Sequence, residues 1–440
     1  MIFRTDVETI VRDVLAHHYD ALPDLLHAAM KSSGYADRSR TGLAAGKAAL
    51  AMARAFGPVA RGMVVSPHDD GASVPAGWML LVSSHPLVDE RAQVAGDAAI
   101  ELAENVRDDG VLVALISGGA SALVESPLVP LAEFQRITSA LMRLGASITE
   151  LNAVRIALSA IKGGELATHT LAPVVTLAIS DVIGDDITTI GSGPTVGPWI
   201  ASAIEPVDHA LRRARQREAA IEILTRYALA IPPLLESPIV PTVPVRRDDF
   251  AQVVIPMRRL ASSVRHALEA RLPRRLPARV VSESHRPLTW SVRETADFVV
   301  PAERSCWVYW GEPTLVVPAD HGEGGRMQQL ALELAKRIAG TEISAFAIGT
   351  DGMDGPPPAH RPAPAGAYVD GTTWEAIRAA GMARAGSRRL MMARAGSRRL
   401  MIDPQAALDR CDAGTALDAV GALVITGPTG VNHADLVVIG

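Results

Sequence analysis

Aromatic residues, cysteines and long apolar runs are scarce in this sequence, and each shortage excludes a class of protein. Aromatic side chains account for 4% of 440 residues, whereas glycines and prolines number 36 and 30, which suits a loop-rich α/β protein better than an all-β sandwich. The two cysteines, Cys306 and Cys411, cannot form a disulfide framework and lack metal-ligand spacing, so we expect a reducing cytoplasm. No apolar stretch is long enough to cross a membrane, and the amino-terminal segment lacks an apolar signal core.

Several recognition motifs are missing as well. No GxGxxG opens a strand–helix–strand unit, which argues against a nicotinamide site, and neither HExxH nor GxSxG occurs. A net charge of −5 argues against a nucleic-acid-binding surface. These absences leave a globular chain whose composition suits an α/β enzyme.

The most informative stretch that is present is VLVALISGGASAL, residues 111–123. An apolar strand runs into Ser117, Gly118 and Gly119 and then into a helix start at Ala120 and Ser121. Such turns present backbone N–H groups to anions, although glycine also serves strand-to-helix turns for structural reasons alone.

Apolar strands alternate with helical patterns along the chain, which predicts parallel sheets covered on both faces, with ligands at the carboxyl ends of the strands. A proline-rich stretch at 231–245 predicts a boundary between domains 1–240 and 241–440. An exact decapeptide repeat at 382–401 has no assigned function. The predicted helices are 5–30, 41–56, 131–144, 257–270 and 326–338, and the predicted strands are 78–82, 111–116, 174–179, 422–426 and those near Trp307 and Ala345.

Two segments of the first half carry candidate chemistry. GLAAGKAALAMA fails the phosphate-loop spacing, so Lys47 is either a cation aimed at phosphate or a solvated helix lysine. In AISDVIGDDITTIGSGPT, Asp181, Asp185 and Asp186 offer oxygen ligands that suit Mg²⁺, and the alternative is turn and N-cap duty. The same segment ends in the hydroxyl-bearing turn 192–195.

The second half contains two further candidates. Gly324, Gly325 and Arg326 stand at the start of a predicted helix, where amides and a guanidinium would form an anion clamp. Asp351 and Asp354 follow a predicted strand and are candidates for a metal or a substrate hydroxyl.

Taken together, these segments resemble the class II glycerate kinases, the glycerate 2-kinase family whose C-terminal part is called the MOFRL domain. The matching pieces, in the family's order, are AAGKAALAMA, SSHPLVDE, LISGGASALVESP, LNAVRIALSAIKGGELA, AISDVIGDDITTIGSGPT, WGEPTLVV, GEGGRMQQLALELA, GTDGMDG and GALVITGPTGVNHADL. The resemblance implies two Rossmann-like, three-layer α/β domains with mainly parallel sheets and a cleft between them. It also implies transfer of the ATP γ-phosphoryl group to the 2-hydroxyl of D-glycerate, with Mg²⁺ and as a possible homodimer.

The resemblance also implies roles for individual residues. Lys47, Arg326 and Asp181 become the catalytic candidates, and Asp185 and Asp351 the metal candidates. Nucleotide binding falls to Ser117, Gly118, Gly119, Ser121, Ser192, Gly193, Thr195, Gly324 and Gly325, and substrate binding to Asn152, Arg155, Lys162 and Glu312.

The sequence departs from the family at four places. Met327 replaces an asparagine, Glu165 stands where a basic residue is common, and the stretch 355–366 is altered. The GEAR-like segment expected before the C-terminal motifs is not recognisable in HRPLTWSVRETADF, residues 285–298. Two alternatives therefore stay open, a hydroxypyruvate or tartronate semialdehyde reductase and a non-catalytic nucleotide-binding relative.

Overall fold

The computed structural model describes residues 4–84, 87–196, 209–239, 249–271, 281–301, 305–359, 361–381, 403–431 and 433–440. The chain divides into two compact units. The N-terminal unit is Tyr19–Met257, and the C-terminal unit combines Met1–His18 with Arg258–Gly440. A boundary after residue 240 stays a prediction, since 240–248 lie outside the described residues, as does the repeat at 382–401.

A six-stranded, fully parallel sheet forms the centre of the N-terminal unit, with the order β3-β2-β1-β4-β5-β6. Alternate residues of its central strands enter two different apolar clusters, one on each face. Both faces are therefore covered, which explains the continuous apolar runs in the sequence. The strands are β1 Ser39–Ala45, β2 Arg61–Ser66, β3 Trp78–Val82, β4 Gly110–Ile116, β5 Val174–Ile179 and β6 Phe250–Ile255.

Helices surround this sheet, and a third apolar cluster joins several of them away from the strands. The α-helices of the unit are Leu22–Ser32, Ala49–Phe56, Glu90–Glu104, Ala120–Leu123, Leu131–Arg143, Ile148–Ala157, His209–Arg226 and Pro233–Glu236. Short 3₁₀ turns lie at Glu165–His169 and Ile190–Ser192.

The helix predicted over 41–56 is wrong in its first part, because residues 41–45 belong to β1. Pairing with β2 and β4 on both sides overrides the helix preference of the alanines there. Gly42 also permits close packing, since a Cβ there would lie 2.3 Å from the Trp78 ring. The helix predicted over 5–30 is two helices, Arg4–Ala16 and Leu22–Ser32.

The C-terminal unit also contains a six-stranded sheet, with the order β11-β10-β9-β12-β8-β7. Only β7 and β8 pair in parallel, and the other four pairings are antiparallel. The expectation of a mainly parallel sheet is thus confirmed for the first unit and wrong for the second. The strands are β7 Val281–Glu283, β8 Cys306–Gly311, β9 Ser344–Gly349, β10 Gly366–Asp370, β11 Leu423–Val424 and β12 Asp435–Ile439.

The helix Arg326–Arg337 is central to this unit, because every residue from Met327 to Ala335 is buried. Met327 joins the apolar cluster, which gives the thioether at this position a packing role. Among the described helices, none combines the length and the apolar character needed to cross a membrane. The other helices are Arg4–Ala16, Arg259–Arg271, Val292–Val299, Pro404–Asp409, Ala413–Asp418 and residues 373–381.

Candidate functional site

Strand order in the N-terminal sheet reverses between β1 and β4. From β1 the chain proceeds outward to β2 and β3, and from β4 it proceeds in the other direction to β5 and β6. In open α/β sheets such a reversal leaves a crevice at the carboxyl ends of the two central strands, where ligands bind. The loops that follow β1 and β4 carry Lys47 and Ser117, so both residues lie at this crevice.

These two loops are locked together by hydrogen bonds. The amide of Lys47 donates to the Gly118 carbonyl at 2.8 Å, and the amide of Ala48 donates to Ser117 Oγ at 3.0 Å. Gly46 has φ +125°, and a Cβ there would lie 2.2 Å from Ser117 Oγ. The contact therefore requires glycine at 46, and it fixes the backbone of Lys47 against the Ser117–Gly119 turn.

The turn at 190–195 joins the same group through a serine pair. Ser121 Oγ and Ser192 Oγ are 2.8 Å apart, and Ser192 has φ +62°, a rare conformation for a residue other than glycine. Thr195 has a different place, because it is fully buried and its hydroxyl contacts Thr176 Oγ1 at 2.7 Å. Both residues are buried, Ser192 at 3% exposure beside the half-buried Ser121, and Thr195 within the interior of the unit.

The aspartates after β5 divide into turn-forming and half-buried positions. Asp186 accepts hydrogen bonds from the amide and hydroxyl of Thr188, which is the turn role that the sequence left open. Asp185 Oδ1 accepts the Met257 amide at 2.9 Å. Asp181 follows the last residues of β5 and is half-buried.

No group of three or more His, Cys, Asp and Glu side chains among the described residues could hold a metal by itself. Mg²⁺ commonly needs only one or two carboxylates, because water and substrate phosphates complete its shell. Asp185 in one unit and Asp351 in the other fit that requirement individually.

Lys162 is a buried ion-pair partner. Its side chain is 1% exposed, and Nζ donates to Glu125 Oε2 at 2.5 Å and to the Val124 carbonyl at 3.3 Å. Ser159 Oγ donates to the other oxygen, Glu125 Oε1, at 2.5 Å. Lys162 was expected to contact substrate, and the structure instead commits its charge to Glu125.

Asn152 and Arg155 lie three positions apart on the helix Ile148–Ala157, which begins with a capping box formed by Ser147 and Glu150. The two side chains share one face of that helix. Arg155 is 9% exposed, whereas Asn152 is half-buried. Glu165, the departure from the family pattern nearby, is buried against the guanidinium of Arg212.

In the C-terminal unit, Arg326 is held by two carboxylates. Its Nε lies 2.5 Å from Asp435 Oδ2, its Nη2 lies 3.2 Å from Asp435 Oδ1, and Nη2 also lies 3.2 Å from Glu312 Oε1. Burial disfavours the cation, but Asp435 outweighs that effect and holds the pKa of Arg326 above its usual range. The guanidinium is about a third exposed, so it remains available to a ligand.

The antiparallel direction of β12 explains how these groups meet. Asp435, the first residue of β12, pairs in register with Gly311 at the end of β8 and with Gly349 at the end of β9. A Cβ on Gly349 would lie 3.6 Å from Oδ1 of both Asp351 and Asp435. Sequence analysis missed Asp435 because it predicted no strand after 422–426, and the place of Asp435 depends on β12 and its antiparallel pairing.

The predicted anion clamp at the start of helix Arg326–Arg337 is corrected by Asp354. Asp354 Oδ1 accepts the Met327 amide at 3.0 Å, and Oδ2 accepts the Gln328 amide at 2.7 Å. A Cβ on Gly325 would lie 2.3 Å from Asp354 Oδ1, so this glycine makes room for the carboxylate. The helix N-terminus thus binds an anion that belongs to the protein itself.

The altered stretch 355–366 is tied to the loop that precedes Arg326. Arg361 forms ion pairs with Glu323 at 3.3 Å and with Asp418 at 3.2 Å, and its side chain is 10% exposed. The Glu323 amide also donates to Asp412 Oδ1 at 2.8 Å. The altered stretch is therefore held to the rest of the C-terminal unit by the ion pairs of Arg361.

Comparison with known proteins places the chain in one family. Residues 2–232 match the family described as a domain of unknown function (DUF4147), and residues 305–435 match the MOFRL family. The D-glycerate 2-kinase of Thermotoga maritima is 30% identical over 417 residues, covering 90% of this chain and 89% of that relative. A relative from Agrobacterium vitis, whose name includes hydroxypyruvate reductase, is 34% identical over 413 residues, covering 89% of this chain and 85% of its own. The crystal structure of a glycerate kinase from Thermotoga maritima matches with a TM-score of 0.73 and 26% identity, covering 98% of each chain.

Proposed function

The chain belongs to the class II glycerate kinase family, and we propose that it transfers the γ-phosphoryl group of ATP to the 2-hydroxyl of D-glycerate. The observation that carries this proposal is the loop pair at the reversal of the N-terminal sheet, where the Lys47 amide meets the Gly118 carbonyl. That loop pair combines a cation with a glycine turn, which suits the phosphates of a nucleotide.

In this reaction the 2-hydroxyl oxygen forms a bond to the γ-phosphorus, the bond from that phosphorus to the bridging oxygen breaks, and ADP leaves. The hydroxyl proton passes to a base, for which we propose Asp181. Phosphoryl transfer depends mainly on positioning and on neutralising charge, and Lys47 and Arg326 are the cations proposed for that task.

The remaining positions divide between contact and support. Ser117, Gly118, Gly119, Ser121, Ser192 and Gly193 are proposed to contact the nucleotide, since they belong to the loops that are joined by the Lys47–Gly118 and Ser121–Ser192 hydrogen bonds. Thr195, Gly324 and Gly325 are proposed to shape the loops. Glu312 is proposed to hold Arg326, to which it lies 3.2 Å away, and to reach the substrate hydroxyls.

Mg²⁺, when bound, supplies charge neutralisation between the phosphates. We propose Asp185 and Asp351, each considered by itself, as carboxylate ligands for it. Asp185 uses Oδ1 for the Met257 amide, which leaves Oδ2 for a cation.

We also propose a cytoplasmic setting and a homodimer. The edge strand β3 exposes Met79 and Val82, at 57% and 41%, and offers an apolar edge to a second copy. Gel filtration of the purified chain tests the dimer.

The test of the activity is an ADP-release assay with ATP, Mg²⁺ and D-glycerate, in which the product is resolved as 2- or 3-phosphoglycerate. We expect 2-phosphoglycerate, and Arg326→Ala should lower kcat/KM by about 100-fold or more because a transition-state cation is lost. Arg378→Ala, which removes an exposed arginine paired with Glu375, is the matched control. Consumption of NADH or NADPH with hydroxypyruvate, without ADP release, would support the reductase alternative instead.

A further inference from the structure

Buried positive side chains outnumber buried negative ones among the described residues of the N-terminal unit. Among its described residues, five cationic side chains are buried against two carboxylates. A buried charge without a partner is strongly disfavoured, so such an excess points to ligands that are anionic. The cations are Arg155, Lys162, Arg212, Arg213 and Arg217, and the carboxylates are Glu125 and Glu165.

Both carboxylate oxygens of Glu125 already bind groups other than Arg155. Its Oε2 binds Lys162 Nζ and its Oε1 binds Ser159 Oγ, each at 2.5 Å. The negative charge of Glu125 stabilises the cationic form of Arg155 through space. No hydrogen bond between the two side chains is found among the described residues. Lys162 and Arg155 together therefore exceed the one carboxylate beside them.

Arg155 itself is nine-tenths buried, and no hydrogen bond joins its side chain to another described residue. Its Nε is fully shielded from solvent and has no partner among the described residues. Burial lowers the pKa of Arg155, and only Glu125 opposes that effect. A guanidinium presents five N–H donors in a planar fork that matches a carboxylate or a phosphate, and none of the five has a hydrogen-bond partner among the residues that the structure describes.

We propose that Arg155 is the receptor for an oxyanion group of the bound ligand, with Asn152 as a neutral donor one turn earlier on the same helix face. The Glu125–Lys162 pair beside it is a positioning element and does not touch the ligand. The oxyanion is either the carboxylate of the hydroxy acid or a phosphate of the nucleotide. The identity of these two ligands rests on the proposed function. The proposal that Arg155 binds an oxyanion rests on the geometry of Arg155 alone.

The test measures binding to the full-length chain by calorimetry with three separate probes, D-glycerate, ATP and inorganic phosphate. Arg155→Gln should weaken binding of either D-glycerate alone or ATP and inorganic phosphate together by about 10- to 100-fold, since it removes a charge-assisted bidentate contact. Arg155→Lys keeps the charge without the fork and should give an intermediate loss. Arg136→Gln is the matched control, since that arginine is 54% exposed on the helix Leu131–Arg143. A loss confined to D-glycerate assigns the carboxylate, and a loss for ATP and phosphate assigns the phosphate.

Thermal unfolding without ligand separates a ligand receptor from a structural arginine. Removal of an unpaired buried charge should leave the melting temperature of Arg155→Gln equal to or above that of the wild type. A lower melting temperature that Arg155→Lys restores, or unchanged affinity for all three probes, would overturn the inference.

Failure of the proposed function is distinguishable from failure of this inference. A wild type that releases no ADP but binds one probe through Arg155 refutes the kinase proposal alone. An active kinase whose Arg155→Gln variant keeps every affinity refutes the oxyanion receptor alone. A wild type that binds none of the probes refutes both.

Discussion

At the scale of single residues, the orientation of the Arg326 guanidinium depends on the carboxylate of Asp435, which lies 109 positions away in sequence. Asp435 is 3% exposed and receives both Nε and Nη2 of Arg326, whereas Glu312 contacts Nη2 alone. Bidentate pairs of this kind fix geometry as well as charge. Asp435 is therefore a positioning residue for Arg326.

Asp435→Asn should lower kcat/KM for D-glycerate by about 10- to 100-fold, mostly through kcat, because Arg326 keeps its charge but loses its fixed orientation. Steady-state kinetics at saturating ATP measure the effect. Asp297→Asn is the control, since it removes an exposed partner of Arg337 at the far end of the same helix. A variant that changes only KM, or that matches the control, would contradict the positioning role.

The sequence could identify Arg326 but not Asp435, and the reason is physical. Arg326 stands in a first helical turn, where a cation has no favourable dipole interaction, so its type and place already called for another explanation. The importance of Asp435 depends on which edge of the sheet its strand starts from, and strand direction is decided by tertiary pairing. Lys162 shows the same limit, because its buried partner Glu125 lies 37 positions earlier.

At the scale of elements, the helix Arg326–Arg337 is capped from outside its own sequence. Gly325, its N-cap residue, has no side chain to accept hydrogen bonds, and Asp354 accepts the two amides that follow Arg326. The Gln328 side chain also donates to the Asp354 carbonyl at 2.8 Å. The cap therefore fixes the helix end that carries Arg326.

Asp354→Ala should destabilise the protein by about 2 kcal/mol, because it removes a helix cap and leaves buried amides unpaired. Denaturant unfolding of the C-terminal unit, followed by tryptophan fluorescence, measures the change. Asp403→Ala removes an exposed cap, which binds the Gln405 amide of the helix Pro404–Asp409, and should lose less than about 1 kcal/mol. Equal losses of unfolding free energy in the two variants would show that the buried cap Asp354 stabilises the protein no more than the exposed cap Asp403.

Elements with strong local signals were predictable, and elements defined by neighbours were not. The strands Trp78–Val82 and Val174–Ile179 match their predicted bounds, because apolar runs between turns specify them directly. In contrast, Gly42–Ala45 has a helix-forming composition and becomes a central strand only through β2 and β4. The direction of β12 likewise follows from its pairing with β8 and β9.

At the scale of the whole molecule, the two ends of the chain meet in one unit through a pair of histidines. The His18 and His433 rings pack edge to face, with centroids 4.6 Å apart, and both side chains are buried. Burial, with a smaller contribution from Arg259, lowers the pKa of His18 to about 4. Burial also lowers the pKa of His433 well below its usual value, and His18 and Arg259 add to that effect.

These shifts make folding depend on pH between about 6.5 and 4. In the unfolded chain both histidines take up protons near pH 6.5, whereas in the folded chain His18 stays neutral until about pH 4. The unfolded state therefore binds more protons in this window, and stability falls as pH falls. The difference for His18 corresponds to about 3 kcal/mol once the window is crossed.

The double variant His18→Phe, His433→Phe keeps two rings in contact and removes both titrations, so its unfolding free energy should fall less between pH 7 and pH 4.5 than that of the wild type. Denaturant unfolding at a series of pH values measures the slope, which is independent of any packing loss at pH 7. His17→Gln is the matched control, because that neighbouring side chain is 63% exposed and lies outside the buried ring pair, so it should keep the fall in stability that His18 and His433 cause. A double variant with the wild-type slope would mean that acid sensitivity arises from other groups, and that the contact between the chain ends does not set it.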